Sequence, residues 1–308
     1  MTTLVRLPTT TEIFDRTHDA LSGCDVHGGM DRLRVSLRSL RARLAPDEWT
    51  HLGEEARRHP LHDLLLESPF TRRAFSKPRG YAGDAVLMDL IYGKPPVEHD
   101  LTPLGGMLYG YEFDTPGFQA VRTRRAILAR EIDSVAAARK RARVLSVACG
   151  HLREVDWSRA ARAGAVSITA LDQDRDSLDF IDQQYARYGV STMAATVGDL
   201  LRRSVRFDGL DLAYAAGLYD YLEDDVARVL TAVLFRMLGP GGRLLIANFT
   251  PITHDAAFME AMMDWRLIYR TSEQVRALAG AIPDAQVAAI EQFPDDNGQI
   301  IYMRVVKR

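Results

Sequence analysis

From Arg143 onward the chain alternates short runs dense in β-branched and aliphatic residues with longer amphipathic stretches, and this change of period constrains the fold most. Strand-like runs fall at 143–148, 166–171, 193–197, 210–216, 243–249, 286–292 and 299–306. Helical spacing marks 151–163, 175–188 and 222–238. Strands alternating with helices pack as a mainly parallel sheet with helices against its faces, so the expected fold class is α/β. The last two runs are joined through Pro294-Asp-Asp-Asn-Gly298, a turn sequence that predicts a closing antiparallel hairpin.

Two of these runs end in residues suited to a ligand. Arg143-Val-Leu-Ser-Val-Ala-Cys-Gly150 ends in a glycine, which lets backbone approach a bound molecule closely. Ser167-Ile-Thr-Ala-Leu-Asp172 ends in a carboxylate, which can accept both hydroxyls of a ribose. In a parallel sheet those ends lie side by side, and a nucleoside-containing ligand is expected.

The first 140 residues read as helical. Leu33, Leu37, Leu40 and Leu44 share one face of a helix that Asp31 can cap and Pro46 ends. A second helix is expected near Asp47 and a third over Pro60–Ser68. Lys77-Pro-Arg-Gly-Tyr-Ala-Gly83 interrupts the pattern, after which Asp84 caps a short helix through Tyr92. Gly93 to Asp114 reads as loop. Thr115-Pro116 starts a long helix to about Ala138, with Phe118, Val121, Arg125, Leu128 and Ile132 on one side. Residues 1–140 are thus expected to form a helical cap or lid, and 141–308 the ligand-binding domain.

A formal net charge of -2 gives no reason to expect a nucleic-acid partner. The two cysteines, Cys24 and Cys149, are far apart, and no Cys/His cluster has metal-site spacing, so no metal is expected. No stretch approaches the roughly 18 consecutive apolar residues of a membrane span. The opening Met-Thr-Thr-Leu-Val-Arg lacks the pattern of a signal peptide, and a cytoplasmic setting is the expectation.

The second half resembles the class I S-adenosylmethionine-dependent methyltransferases. The residues that carry the resemblance are Val144-Leu-Ser-Val-Ala-Cys-Gly150, Asp172, Gly198-Asp199-Leu200, Phe207 to Gly217, and Leu238-Gly-Pro-Gly-Gly242 with its following strand. The resemblance implies a Rossmann-like seven-stranded sheet and S-adenosyl-L-methionine as methyl donor or sole substrate. It also implies a small-molecule partner, with a homodimer left open. By the same likeness, Ala148, Gly150, Asp172, Gln173, Asp199, Leu200 and Ala216 would touch the cofactor, Asp172 at the ribose and Asp199 at the adenine amine. Read from the residues alone, Asp172 could instead cap the next helix, and Gly-Asp at 198–199 is also ordinary turn chemistry.

The first turn departs from the family's pattern, since Gly150 is followed by His-Leu-Arg-Glu and not by further glycines. His151 or Arg153 could replace a backbone contact, or Arg153 could pair with Glu154 or Asp156. Pro69 to Asp84, Cys149 to Glu154 and Asp264-Trp-Arg-Leu-Ile-Tyr-Arg270 are similar to a bacterial group. Its members are labelled as makers of hydroxy-fatty-acid methyl esters or as enzymes that cyclise the cofactor to azetidine-2-carboxylate.

Tyr219 is expected to set its ring beside the sulfonium, and Asn248 to orient substrate. Arg79 and Tyr81 are expected at the cofactor's carboxylate or the transfer site, against an interdomain turn with Arg79 paired to Asp84. Trp265 and Tyr269 are placed on one helix face. A hydroxyl or amine acceptor would use Tyr219, Asp220 or Tyr81 as base, and a carboxylate acceptor needs none. Three readings remain: methyl transfer, cyclisation of the cofactor with release of methylthioadenosine, and a non-catalytic nucleoside-binding scaffold.

Overall fold

Seven strands form one sheet: β1 (Ala142–Val147), β2 (Val166–Asp172), β3 (Val190–Ala194), β4 (Leu210–Ala215), β5 (Leu238–Phe249), β6 (Val287–Pro294) and β7 (Ile300–Lys307). Their order is β3-β2-β1-β4-β5-β7-β6. The first five are mutually parallel, and β7 runs antiparallel to both β5 and β6. This is the Rossmann-like seven-stranded sheet with a closing antiparallel hairpin that the resemblance implied. The structure, a computed structural model, describes residues 9–94 and 101–308. The opening residues read above, and 95–100 of the expected loop, lie outside the described residues.

The strands form where β-branched residues can fill both faces of the sheet. Leu145 and Val147 of β1 join one buried cluster with Leu244 and Ile246 of β5 and Leu230, Val233 and Leu234 of the helix Asp224–Arg236. Val144 of β1 and Leu245 of β5 face the other way, onto Ile127, Leu128 and Ile132 of the helix Pro116–Ala138 and Leu178 and Ile181 of the helix Arg175–Tyr185.

Some boundaries differ from expectation for local reasons. β3 starts three residues before the predicted run and ends at Ala194, since Thr196 caps the short helix Val197–Leu201 and takes the residues that follow out of the strand. The 151–163 helix is a single 3-10 turn, Arg153–Asp156, followed by the short helix Arg159–Arg162. β5 includes the glycine run, with an irregular register between Leu210 and Leu212. A Cβ on Gly242 would lie 2.5 Å from the Leu210 carbonyl oxygen, so the close approach there requires glycine.

Contacts divide the chain into two compact units, one of residues up to Gln119 together with His254–Arg266, the other of Ala120–Thr253 with Leu267–Arg308. The division drawn from sequence at residue 140 follows the change of period. The contact boundary comes earlier because the helix Pro116–Ala138 packs most of its length on the sheet. A stretch from the C-terminal half, including the helix Ala256–Met262, belongs with the N-terminal helices.

In the helical unit, the helix Val26–Arg41 buries Met30, Leu33 and Leu37. It is capped by Asp25, whose side chain accepts from the Gly28 amide, and not by Asp31, which accepts from the Tyr111 hydroxyl. Pro46 does not end that helix but opens the next, Pro46–Arg58. Leu61–Leu65 and Ala85–Ile91 follow as expected, the latter capped by Asp84. The expected loop 93–114 instead contains the helix Pro103–Phe113, capped by Thr102. Its three glycines masked it; a Cβ on Gly105 would lie 2.5 Å from the Glu67 carbonyl oxygen, so one of them is a packing requirement.

The stretch 254–266 is bound into this unit by charge. Glu260 accepts two bonds from Arg41, both 2.8 Å, and one from the Trp49 indole, also 2.8 Å. The last carbonyls of its helix are met by a cation and a histidine: Arg57 donates to Ala261 O, and His62 Nε2 lies 2.8 Å from Met262 O, while beyond the helix Lys77 donates to Asp264 O at 2.9 Å. The first two are the orphan acceptors that every helix C-terminus leaves. Arg34 pairs with Asp255, which also caps Gly117 through its amide at 2.8 Å.

Candidate active site

The strand order reverses between β1 and β4, and in open α/β sheets ligands bind at the carboxyl ends beside such a point. The turn after β1 is the most constrained backbone there. Ala148 (φ 52°), Gly150 (φ 52°) and Leu152 (φ 50°) are all left-handed, a region that costs non-glycine residues about 1–2 kcal/mol each. Hydrogen bonds over-determine the path. Cys149 N donates to Leu171 O at 3.2 Å, and Gly150 N donates to the Asp172 carboxylate at 2.9 Å.

Asp172 is 7% exposed and ends β2. One oxygen accepts from Gly150 N, the other from Asp174 N at 3.0 Å. A carboxylate offers about four acceptor positions, so both oxygens keep capacity for further donors such as a pair of ribose hydroxyls. The cap of the following helix is Asp174, not Asp172. Gln173 is exposed beside it, and Ala216, 9% exposed, follows β4.

The two side chains proposed to compensate for missing glycines are engaged elsewhere. The His151 ring stacks on Phe180 at 4.2 Å, and the Arg153 guanidinium lies 4.3 Å from the centre of the same ring. Glu154 is buried and accepts from the Tyr214 hydroxyl at 2.6 Å; burial pushes its carboxyl up. Burial also pushes the Cys149 thiol up, so it is not a thiolate nucleophile.

Several sequence-derived residues are not where they were expected. Tyr219 is 0% exposed within the apolar cluster, its hydroxyl 3.0 Å from that of Thr231. Its ring serves the core, because the turn after β4 points it back at the helix Asp224–Arg236. Leu200 is likewise fully buried in that cluster, so its side chain cannot line a ligand. Asp199 carries out local work: Oδ2 accepts from Thr196 N and Oγ1, and Oδ1 from Arg202 at 2.9 Å. Those bonds, the Thr196 hydroxyl first, hold its carboxyl down at about 2.

Asn248 is a scaffold residue. Its amide donates to Phe249 O and Ile268 O, and its oxygen accepts from Arg270 at 2.8 Å. Arg270, 1% exposed, spends all five donors: Nε and Nη2 on Asp224, Nη1 on Tyr219 O and Asn248, and Nη2 also on Leu222 O. It fixes the segment after β4 to the end of β5. Residues 264–271 form no helix, so Trp265 and Tyr269 share no helix face.

Arg79 and Tyr81 lie in the helical unit, both partly buried. The alternative reading, an Arg79–Asp84 pair, is not what Asp84 does: Arg73 holds it through both carboxylate oxygens at 2.8 Å.

Sequence reading missed Arg124. Its Nη1 donates to Ala216 O at 2.7 Å, and a Cβ on Gly217 would lie 3.7 Å from the guanidinium. The only signal was its place on the long helix one residue from Arg125, with nothing to show that it reaches the end of β4. Asp220, weighed as a base, is 3% exposed; its Oδ1 accepts from Phe249 N at 2.7 Å, and its carbonyl from Ile268 N at 2.7 Å. Burial pushes its carboxyl up to about 6 against the pull of the Phe249 amide, Arg124 and Arg270.

Among the described residues, no helix is long and apolar enough to cross a membrane, and no three His, Cys, Asp or Glu side chains gather to hold a metal ion. No family model and no curated protein matches the chain. Among solved structures, it is similar to a possible exported protein from Bordetella parapertussis, with a TM-score of 0.62 and 19% identity over 87% of this chain and 98% of that one. Weaker likenesses include the N-methyltransferase NodS from Bradyrhizobium japonicum in complex with S-adenosyl-L-homocysteine (TM-score 0.46, 15% identity, 76% of this chain and 98% of that one). Another is magnesium protoporphyrin IX methyltransferase from Synechocystis with bound S-adenosyl-L-homocysteine (TM-score 0.47, 12% identity, 63% and 88%). At these identities the similarity that counts, to the Bordetella protein, establishes the fold.

Proposed function

We propose that the chain binds S-adenosyl-L-methionine at the carboxyl ends of β1, β2 and β4 and catalyses methyl transfer to a small molecule. One observation carries this reading: the Asp172 carboxylate locks the Gly150 amide of a left-handed turn yet retains acceptor capacity at a strand end. That donor and acceptor set suits a ribose beside a close backbone approach. Ala148, Gly150, Gln173 and Ala216, which follow β1, β2 and β4, are the positions where the resemblance implies further contacts with the cofactor.

When bound, the cofactor supplies an electrophilic carbon on a positively charged sulfur. The residues present do what such a displacement needs. Asp172 and the β1 turn orient, Arg124 and the Arg270 clamp hold the segment after β4 in place, and the buried surroundings exclude water. Cyclisation of the cofactor to azetidine-2-carboxylate is the second reading, favoured by a buried carboxyl, Asp220, able to take a proton from an amine.

Calorimetry with S-adenosyl-L-methionine tests binding, and mass spectrometry of the protein incubated with it separates the chemistries. Methylthioadenosine formed together with azetidine-2-carboxylate, without any acceptor, establishes cyclisation; S-adenosyl-L-homocysteine formed only with an acceptor establishes transfer. Absence of a binding heat overturns both.

A further inference from the structure

We propose that Asp220 is the proton acceptor of this site, and that the nucleophile it serves is an amine entering with its proton and not a carboxylate. The inference rests on the cofactor reading above and names the class of nucleophile that reading leaves open.

Asp220 stands after β4, on the side of the strand-order reversal opposite Asp172. The residue is 3% exposed, and one carboxylate oxygen is committed to Phe249 N at 2.7 Å. No hydrogen bond from any described residue reaches Oδ2. With one oxygen fixed by backbone, Oδ2 is left open to a further donor, and an N–H group arriving with the ligand would supply it.

The charged groups facing Asp220 do not fill that role. Arg270, from the segment before the helix Ser272–Ala277, has every donor placed on other acceptors, with Asp224 as its counter-charge. Arg124, from the helix Pro116–Ala138, donates Nη1 to Ala216 O, and β5 offers the Phe249 amide already counted. Their fields keep the carboxyl ionised at neutral pH despite its burial, the state a base requires.

The step balances simply. The ammonium proton passes to Asp220 Oδ2, and the freed nitrogen lone pair forms the N–C bond as the C–S bond breaks. The electron pair of that bond stays on sulfur, which leaves as a neutral thioether. A carboxylate acceptor would bring no proton and would be repelled by Asp220.

The test uses two probes with the same nucleoside and amino-acid parts, titrated by calorimetry into the full chain. Sinefungin carries an ammonium at the transfer position, and S-adenosyl-L-homocysteine carries a neutral sulfur. Wild-type protein should prefer sinefungin by about tenfold near pH 8, the size of one charge-assisted hydrogen bond, and lose the preference as pH falls through about 6. Asp220→Asn keeps an acceptor for Phe249 N and should show no preference at any pH.

An unchanged preference in the variant, or a wild-type preference flat with pH, overturns the assignment. The wild-type titration stands alone should the variant not fold. Failure of both probes to bind wild-type protein overturns the cofactor reading itself, and this inference with it.

Discussion

In the helical unit three buried carboxylates are closed off by partners of their own unit: Glu260 by Arg41 and Trp49, Asp84 by Arg73 and a helix amide, and Glu112, on the helix Pro103–Phe113, by Ser68 and Thr71. In the sheet unit, Asp172 and Asp220 each hold one piece of backbone in place and keep acceptor capacity beyond it. The contrast separates carboxylates whose acceptors are used up by the fold from two that keep some in reserve. All five are buried, so burial alone does not tell the two kinds apart, and the proposed site rests on the acceptors still open.

Breaking a fastening charge should have the largest effect. Glu260→Ala leaves Arg41 and the Trp49 indole without their acceptor, and should cost about 3–5 kcal/mol of stability in denaturant unfolding. Asp172→Ala should do the reverse, weakening S-adenosyl-L-methionine binding by roughly 100-fold in calorimetry while lowering stability much less. An Asp172→Ala protein that binds normally would erase the contrast.

Glu112 sharpens the comparison through pH. Burial pushes its carboxyl up to about 7, against the pull of Ser68, Thr71 and Arg34. For an acid raised in this way, the fold favours the protonated form, so stability is greatest below the unfolded value near 4.5 and declines as pH rises to about 7. Glu112→Gln should remove that decline, gaining up to about 3 kcal/mol over wild type near pH 8 and nothing near pH 4. Equal slopes in both proteins would show that Glu112 does not titrate in this window.

Tyr219→Phe should have the smallest effect, about 1 kcal/mol of stability from the lost Thr231 bond, with cofactor affinity unchanged. A fall in affinity would return the ring to the site.

The strands were legible because their β-branched and aliphatic residues must fill two faces of one sheet, a constraint written locally. Gly150 and Asp172 were legible for a similar reason, since each sits at a strand end. The helix Pro103–Phe113 was hidden by glycines, although Thr102-Pro103 offers the same start signal as Thr115-Pro116. Tyr219 and Asn248 misled because a string of residues after a strand does not say which way each faces. Arg270 and Arg124 were opaque for a different reason: their partners are carbonyls up to 92 positions away, fixed only once the sheet has formed.

The placement of 254–266 among the N-terminal helices bears on how the chain is made. Arg34, Arg41 and Lys77 leave the ribosome early, whereas Asp255, Glu260 and Asp264 emerge only after most of the sheet has been translated. Until then the amino-terminal helices lack the carboxylates that neutralise their inward cations, and burying those cations unmatched is unfavourable. Their consolidation must therefore wait for the distal segment, which makes the first part synthesised among the last to become native.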